Sequence, residues 1–285
     1  MDDDGELHPA EAFGILGDET RVAILETLAA ADQGEEEGLA FSELRERVGV
    51  RDAGQFNYHL DKLRDQFVVK RDGRYHPRFA ALRAVGAIRS GTYTGASTSE
   101  TADFDATCPE CESSLSAAYD HGRTRMECPE HGEIFGTGIP PRAAADRSVA
   151  EIVKLADAQA QREVERAVDG TCFVCWGRVT PEVPVQNDAD GRTYARLNCR
   201  SCWLSMLLPV GATALRHPAM VSFYHDHGVD VRRRSYLWFD FVRDPERTVV
   251  VSREPVRIRV RTEFDGDALS LTLDGDLDVA SVEEP

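Results

Sequence analysis

The sequence predicts an α+β chain in four parts: an N-terminal helical unit closed by a small β-hairpin, two modules built around paired cysteines, and a C-terminal β-rich segment. Three observations carry that expectation. Phe56, Leu60, Leu63 and Phe67 recur at helical spacing just before Asp72-Gly73, a pair suited to the positive backbone angles of a two-residue hairpin turn. All seven cysteines lie C-terminal to Thr107, in Cys-x2-Cys or Cys-x2-His pairs. From Arg247 onward, helical periodicity gives way to alternation of apolar and polar residues.

A chain of 285 residues, 42% hydrophobic, can bury a sizeable core and is expected to form two or more compact units. The start, MDDDGE, is acidic where a secretory signal would be basic. The longest nearly apolar run, Trp203 to Leu215, is too short for a bilayer and contains Pro209. A cytoplasmic protein without membrane association is the expectation. The formal charge of −17 argues at first sight against a nucleic-acid partner, yet its distribution is uneven. Of 33 basic residues, three are lysines (Lys62, Lys70, Lys154) and the rest are arginines, in a chain rich in Asp and Glu; this resembles proteins of extreme halophiles. Between Ser42 and Arg89, eleven basic residues face six acidic ones, a local island of positive charge.

In chain order, residues 1–8 read as an acidic tail and PAEAFGILG as a short helix. Asp18 is placed to cap a second helix with Val22, Ile24, Leu25 and Leu28 inward. Gln33 to Gly38 reads as a loop, Ser42 as the cap of a helix over Glu43–Val48 closed by Gly49, and Asp52 to Asp65 as the next helix. This is helix-turn-helix order. The outer face of the last helix presents Arg51, Gln55, Asn57, Tyr58 and Lys62, flexible donors and acceptors able to reach base edges in a major groove. Lys70, Arg71 and Arg74 crowd the hairpin and would lie along a sugar-phosphate backbone. A merely solvated charged face is the plainer reading of the same residues.

LGDETRVAILETL, FSELRERVGV and FNYHLDKLRDQFVVKRDGRYH together resemble the winged helix-turn-helix domain of ArsR-like transcription regulators, in the haloarchaeal form, over about residues 9–90. The resemblance implies that the helix from Asp52 is the recognition helix, that the hairpin is the wing, that Phe79–Ile88 helps to form a homodimer, and that the partner is double-stranded DNA. Metal-sensing members carry thiolates near the recognition helix. This sequence has no cysteine before Cys108, so a metal switch inside that unit is not expected.

Residues 91–107 read as a small, polar linker. Then come two four-ligand sets: Cys108, Cys111, Cys128 and His131 in a first module (108–142), and Cys172, Cys175, Cys199 and Cys202 in a second (171–285). No thiol is left over, the arithmetic of two tetrahedral structural zinc ions on ribbon-like knuckles joined by β-hairpins. His121 stays open as an alternative to His131. In a reducing compartment disulfides explain the pattern less well. Between the modules (143–170), Val149, Ile152, Val153, Ala156, Ala160, Val164 and Ala167 predict an amphipathic helix running from Ala143 to Val168.

After Cys202, Ala212 to His227 reads as helical with Pro218 starting or kinking it, and Phe223, Tyr224, Trp238, Phe239 and Phe241 supply aromatic bulk. His217, His225 and His227 have no carboxylate or nucleophile spaced to complete a site and read as surface. TVVVS, VRIRVRTEF, ALSLTL and LDVASV read as strands. Arg257, Arg259 and Arg261 form one basic face, either paired with the acidic C-terminal residues or an auxiliary nucleic-acid surface. No catalytic constellation is present, and no enzyme is expected. The expected function is sequence-specific transcription regulation. The alternative is a basal transcription accessory factor docking on RNA polymerase through its C-terminal domain, because winged helix followed by zinc ribbon is also the order of archaeal initiation factors of the TFE kind.

Overall fold

The computed structural model describes residues 7–32, 38–95, 99–108, 110–186 and 191–284. The start of the predicted acidic tail, most of the loop after Asp32 and the middle of the predicted linker lie outside these residues. The described chain is mixed α+β, with nine α-helices and four antiparallel sheets. It divides into two compact units, Met1–Ala96 with Pro140–Ala145, and Ser97–Ile139 with Asp146–Pro285. Among the described residues no helix is long and apolar enough to cross a membrane.

The first unit comprises α1 (Pro9–Leu16), α2 (Glu19–Asp32), β1 (Leu39–Ala40), α3 (Phe41–Val48), α4 (Ala53–Leu63), β2 (Val68–Arg71), β3 (Arg74–Pro77) and α5 (Phe79–Arg89). The three strands form a sheet in the order β1-β3-β2. Its helices are set by their caps: Asp18 Oδ1 accepts from the Arg21 amide (3.0 Å), and Asp52 Oδ1 accepts from the Gln55 amide (2.6 Å). Ser42 is not the cap of α3. The helix starts two residues earlier than predicted, at Phe41, and Glu43 Oε2 accepts from the Ala40 amide at 2.8 Å. Ile24, Leu25, Leu28, Leu44, Phe56, Leu60 and Leu63 are wholly buried together. Phe67 joins that core, though from beyond the helix: α4 ends at Leu63, and Asp65 turns the chain with φ 69°. Asp72 and Gly73 take φ of 49° and 79°, the left-handed angles of the tight β2–β3 turn.

In the second unit, β4 (Ser99–Thr107), β5 (Ser114–Asp120), β6 (Arg123–Cys128) and β7 (Gly132–Gly138) form a meander in sequential order. The predicted linker is therefore corrected at its C-terminal end. Residues 99–107 pair with β5, Phe104 opposite Leu115, so that small polar residues without a helical pattern supply an edge strand. A 3-10 turn, Pro141–Ala144, belongs to the first unit, where the Arg142 amide donates to the Ser90 carbonyl (2.9 Å). The amphipathic helix consequently begins later than predicted: α6 spans Val149–Val168, opened by a reciprocal Ser148–Glu151 cap. It packs on the β4–β7 sheet with Val149, Ile152, Val153 and Ala156 buried, and two polar residues, Asp157 and Gln161, are buried with them.

Next, β8 (Val179–Gln186), β9 (Thr193–Cys199) and β10 (Ser205–Pro209) form a sheet ordered β10-β9-β8. Short helices α7 (Val210–Ala214), α8 (Pro218–Asp226) and α9 (Asp240–Arg243) precede a meander of β11 (Thr248–Arg253), β12 (Val256–Phe264), β13 (Asp267–Leu273) and β14 (Val279–Glu283). One core unites this half, with Tyr224, Phe239, Phe241, Ile258 and Val260 buried together. Tyr224 sits at its centre; its hydroxyl and that of Thr262 are 2.6 Å apart, which satisfies both buried groups. His217 caps α8, and His227 bonds the Phe223 carbonyl and Asp267, so both are local structural groups.

Candidate metal centres and basic face

The first quartet is assembled by the β5–β6 hairpin. Cys108 and Cys111 precede β5, Cys128 ends β6, and His131 follows in the turn to β7. Cys111 Sγ and Cys128 Sγ are 3.5 Å apart, and His131 Nδ1 is 3.6 Å from both Cys108 Sγ and Cys128 Sγ. His121 is excluded as a ligand: it occupies the tip of the β5–β6 hairpin with φ 47°, beside Asp120. The second quartet repeats the plan on the β8–β9 hairpin, with Cys172···Cys202 at 3.7 Å and Cys175···Cys199 at 3.5 Å. In each quartet the four ligand atoms lie within 4.8 Å of one another, and each group could hold a metal ion.

The knuckles explain why the sulfurs converge. Backbone amides two residues on point back at the first ligand of each pair: Glu110 to Cys108, Glu130 to Cys128, Val174 to Cys172 and Ser201 to Cys199, at 3.3–3.4 Å. Glu112, Gly132 and Trp176, each directly after a second ligand, take positive φ (60°, 71° and 63°). Gly177 allows the two knuckles of the second quartet to close, since a Cβ there would stand 2.6 Å from Ser201 Oγ. Hydrogen bonds favour thiolate at two of the ligands. The Ser113 hydroxyl, 3.3 Å from Cys111, holds that thiol down to about 6, and the Ser201 amide helps to hold Cys199 down to about 7. Burial pushes the Cys108 thiol up.

The first centre has a further group that spacing alone could not reveal. Glu110 Oε2 lies 3.4 Å from His131 Nε2, and Glu110 Oε1 lies 3.2 Å from Arg192 Nη2. A carboxylate on the outer nitrogen fixes the imidazole so that Nδ1 faces the sulfurs, the usual support for a metal-ligating histidine. In sequence Glu110 sits inside Cys-x2-Cys, but Arg192 is 82 positions away and belongs to the second module.

The sequence-predicted DNA residues form two groups. Arg51, Gln55, Asn57, Tyr58 and Lys62 are all exposed on or just before α4, above the buried Phe56, Leu60 and Leu63. They already interact with one another and their neighbours: Asn57 donates to Asp61 at 2.8 Å, and Lys62 Nζ lies 5.7 Å from the Tyr58 ring centroid. Lys70 and Arg71 are exposed on β2, Lys70 lying 5.2 Å from the Tyr75 ring centroid. Arg74 departs from this pattern. Its Nη2 pairs with Glu43 Oε2 at 3.3 Å and its Nε donates to the Gly38 carbonyl at 3.2 Å, so it ties the hairpin to α3 rather than projecting outward. In the C-terminal sheet, Arg261 pairs with Glu263 (2.7 Å), a residue also held by Arg247.

Fold and site together define a chain with two four-ligand cysteine-rich centres in its larger unit and an exposed basic face in its smaller one. It belongs to a family described as a domain of unknown function (DUF7351), whose model matches residues 105–279. Residues 9–88 match a second family model, also described as a domain of unknown function (DUF7347). No curated protein and no solved structure matches the chain.

Proposed function

We propose that the protein is a sequence-specific DNA-binding transcription regulator, with an N-terminal winged helix-turn-helix of ArsR-like kind and a C-terminal unit stabilised by two structural zinc ions. The observation that carries the reading is α4: a helix whose inner face is sealed by Phe56, Leu60 and Leu63 while Gln55, Asn57, Tyr58 and Lys62 stand outward beside a basic hairpin. In a major groove these side chains would read base edges, and Lys70 and Arg71 would hold phosphates. Phe13 on α1 and Phe79 and Leu82 on α5 are exposed apolar residues suited to a homodimer contact. Zinc fits both quartets because a tetrahedron with zinc–sulfur bonds of about 2.3 Å has edges of about 3.8 Å, close to the spacings of 3.5–3.7 Å among the sulfurs. Four protein ligands leave no open position, so the ion supplies shape and not catalysis. Genome-wide occupancy tests the reading: discrete operators are expected, and their absence defeats it.

The accessory-factor reading has one observation in its favour. Val174, Trp176 and Trp203 are exposed on or beside the second quartet's knuckles, apolar bulk of the sort that docks on a protein. Occupancy at every active promoter, with copurification of RNA polymerase, would replace operator binding with that role.

A further inference from the structure

The second unit contains a cavity of about 900 Å³, walled by β7, α6, β10 and α7 and by the turn at Tyr236. That is room for a small organic molecule. Much of its wall is apolar, including Phe135, Val164, Leu208, Leu215, Leu237 and Val242. Three polar groups on the wall are buried without partners: Gln161 Oε1, Arg216 Nε and Arg243 Nε. Gln161 is 6% exposed, and its amide nitrogen is committed, donating to Asp157 (3.1 Å) and to the Arg234 carbonyl (2.8 Å), which fixes its oxygen as the free end. Arg216 and Arg243 reach one cavity because α7 and α9 pack closely at Gly211, where any Cβ would collide with the Phe241 carbonyl. Unpaired buried polar atoms cost free energy unless a partner arrives, and these three ask for complementary chemistry: an anion for the guanidiniums and a hydrogen-bond donor for the amide oxygen.

We infer that this cavity is a binding site for a small amphipathic anion, with a carboxylate- or sulfonate-like head on Arg216 and Arg243, an N–H or O–H donor to Gln161, and an apolar body against the Phe135 and Leu208 wall. The acidic residues around it do not oppose such a guest equally. Glu110 is paired with Arg192 and Glu133 with Arg123; Glu165 is exposed; burial raises the carboxyl of Glu163, which accepts from Gln159. The arginines therefore dominate the interior field.

The test uses the full-length, metal-loaded protein and two probes: 1-anilinonaphthalene-8-sulfonate, which carries an anion, an N–H and an apolar body, and N-phenyl-1-naphthylamine, which lacks the anion. The expected result is one saturable sulfonate site, with the neutral probe at least tenfold weaker. Arg216→Gln and Arg243→Gln should each weaken the sulfonate at least tenfold while leaving metal content unchanged. Equal binding of the two probes, binding without saturation, or an affinity untouched in both variants overturns the inference. If either variant fails to fold, the comparison of probes on the native chain still decides it.

Discussion

The two cysteine quartets share a plan and differ in what surrounds them. Around the first, the buried cluster among the described residues is Cys108, Leu115 and Cys128, with Phe104, Ala106, Cys111 and Ile134 packed against it; two of its three members are themselves ligands. Around the second, Cys172 is one residue of a core that also holds Tyr224, Phe239, Phe241, Ile258 and Leu271. The N-terminal unit lies at the far extreme, with an apolar core and no cysteine at all. Where apolar side chains are plentiful, burial orders the backbone; where they are few, a cross-link through a metal must supply the missing free energy. With metal in both quartets as proposed, the three regions would form a series in dependence on it.

Chelation should separate them with the largest effect. Metal binding is worth about 10–16 kcal/mol in small zinc peptides, more than the whole stability of many domains. Upon stripping the metal, amide protection should vanish first at the cysteine end of the β4–β7 sheet, later around β8–β9, and persist in α2 and α4, as read by hydrogen exchange. Simultaneous loss everywhere would break the series. The converse perturbation is Phe56→Ala, which removes a wholly buried ring from the N-terminal core and should cost about 3–5 kcal/mol there while both quartets keep their metal.

How much of this could be read from sequence follows the range of the interaction. The cysteine pairs, the Asp18 cap, the Asp72-Gly73 turn and the alternation of Ile258 and Val260 are local patterns, and local patterns write themselves into a few consecutive residues. Phe67 was legible as core beyond the helix, and it continues the spacing of Phe56, Leu60 and Leu63 because a buried side chain just past a helix end has the same spacing as one inside it. Residues 99–107 lacked any signal, since an edge strand takes its order from pairing with β5 and not from its own side chains. Glu110 and the cavity groups Gln161, Arg216 and Arg243 were missed because their meaning depends on partners far away in the chain. One hint was present: Asp157 and Gln161, four residues apart, interrupt the apolar face of α6.

That interruption gives a pH test of the wall it builds. Burial pushes the Asp157 carboxyl up to about 6, although Ser235 donates to it at 3.0 Å and Gln161 at 3.1 Å. A carboxyl that is easier to protonate when folded stabilises the fold fully below its unfolded value, and this contribution is lost as pH rises through the folded value. Stability should therefore fall by on the order of 3 kcal/mol between about pH 4 and pH 6, and remain lower above. Asp157→Asn should flatten that slope relative to wild type in denaturant melts at matched metal loading; an unchanged slope would place the carboxyl in solvent. A smaller effect is expected at the first quartet. Glu110→Ala should cost about tenfold or more in affinity there and nothing at the second quartet, because only His131 depends on that carboxylate. Competition with a zinc indicator reads both sites, and equal loss at the two would erase the distinction between them.

The smallest effect concerns the basic hairpin, where Arg74 and its neighbours look alike in sequence and differ in structure. Lys70 and Arg71 are exposed, whereas Arg74 is drawn back to Glu43 and the Gly38 carbonyl. If the hairpin meets DNA as proposed, Lys70→Ala and Arg71→Ala should weaken specific and random duplexes alike and each lower the salt slope by about one. Arg74→Ala should leave that slope unchanged and cost the fold at most about 1 kcal/mol, the ordinary worth of a partly exposed ion pair. A loss of DNA affinity for Arg74→Ala as large as that for Lys70→Ala would mean that Arg74 leaves Glu43 when the duplex arrives. The anchor between hairpin and α3 would then be a latch released by binding.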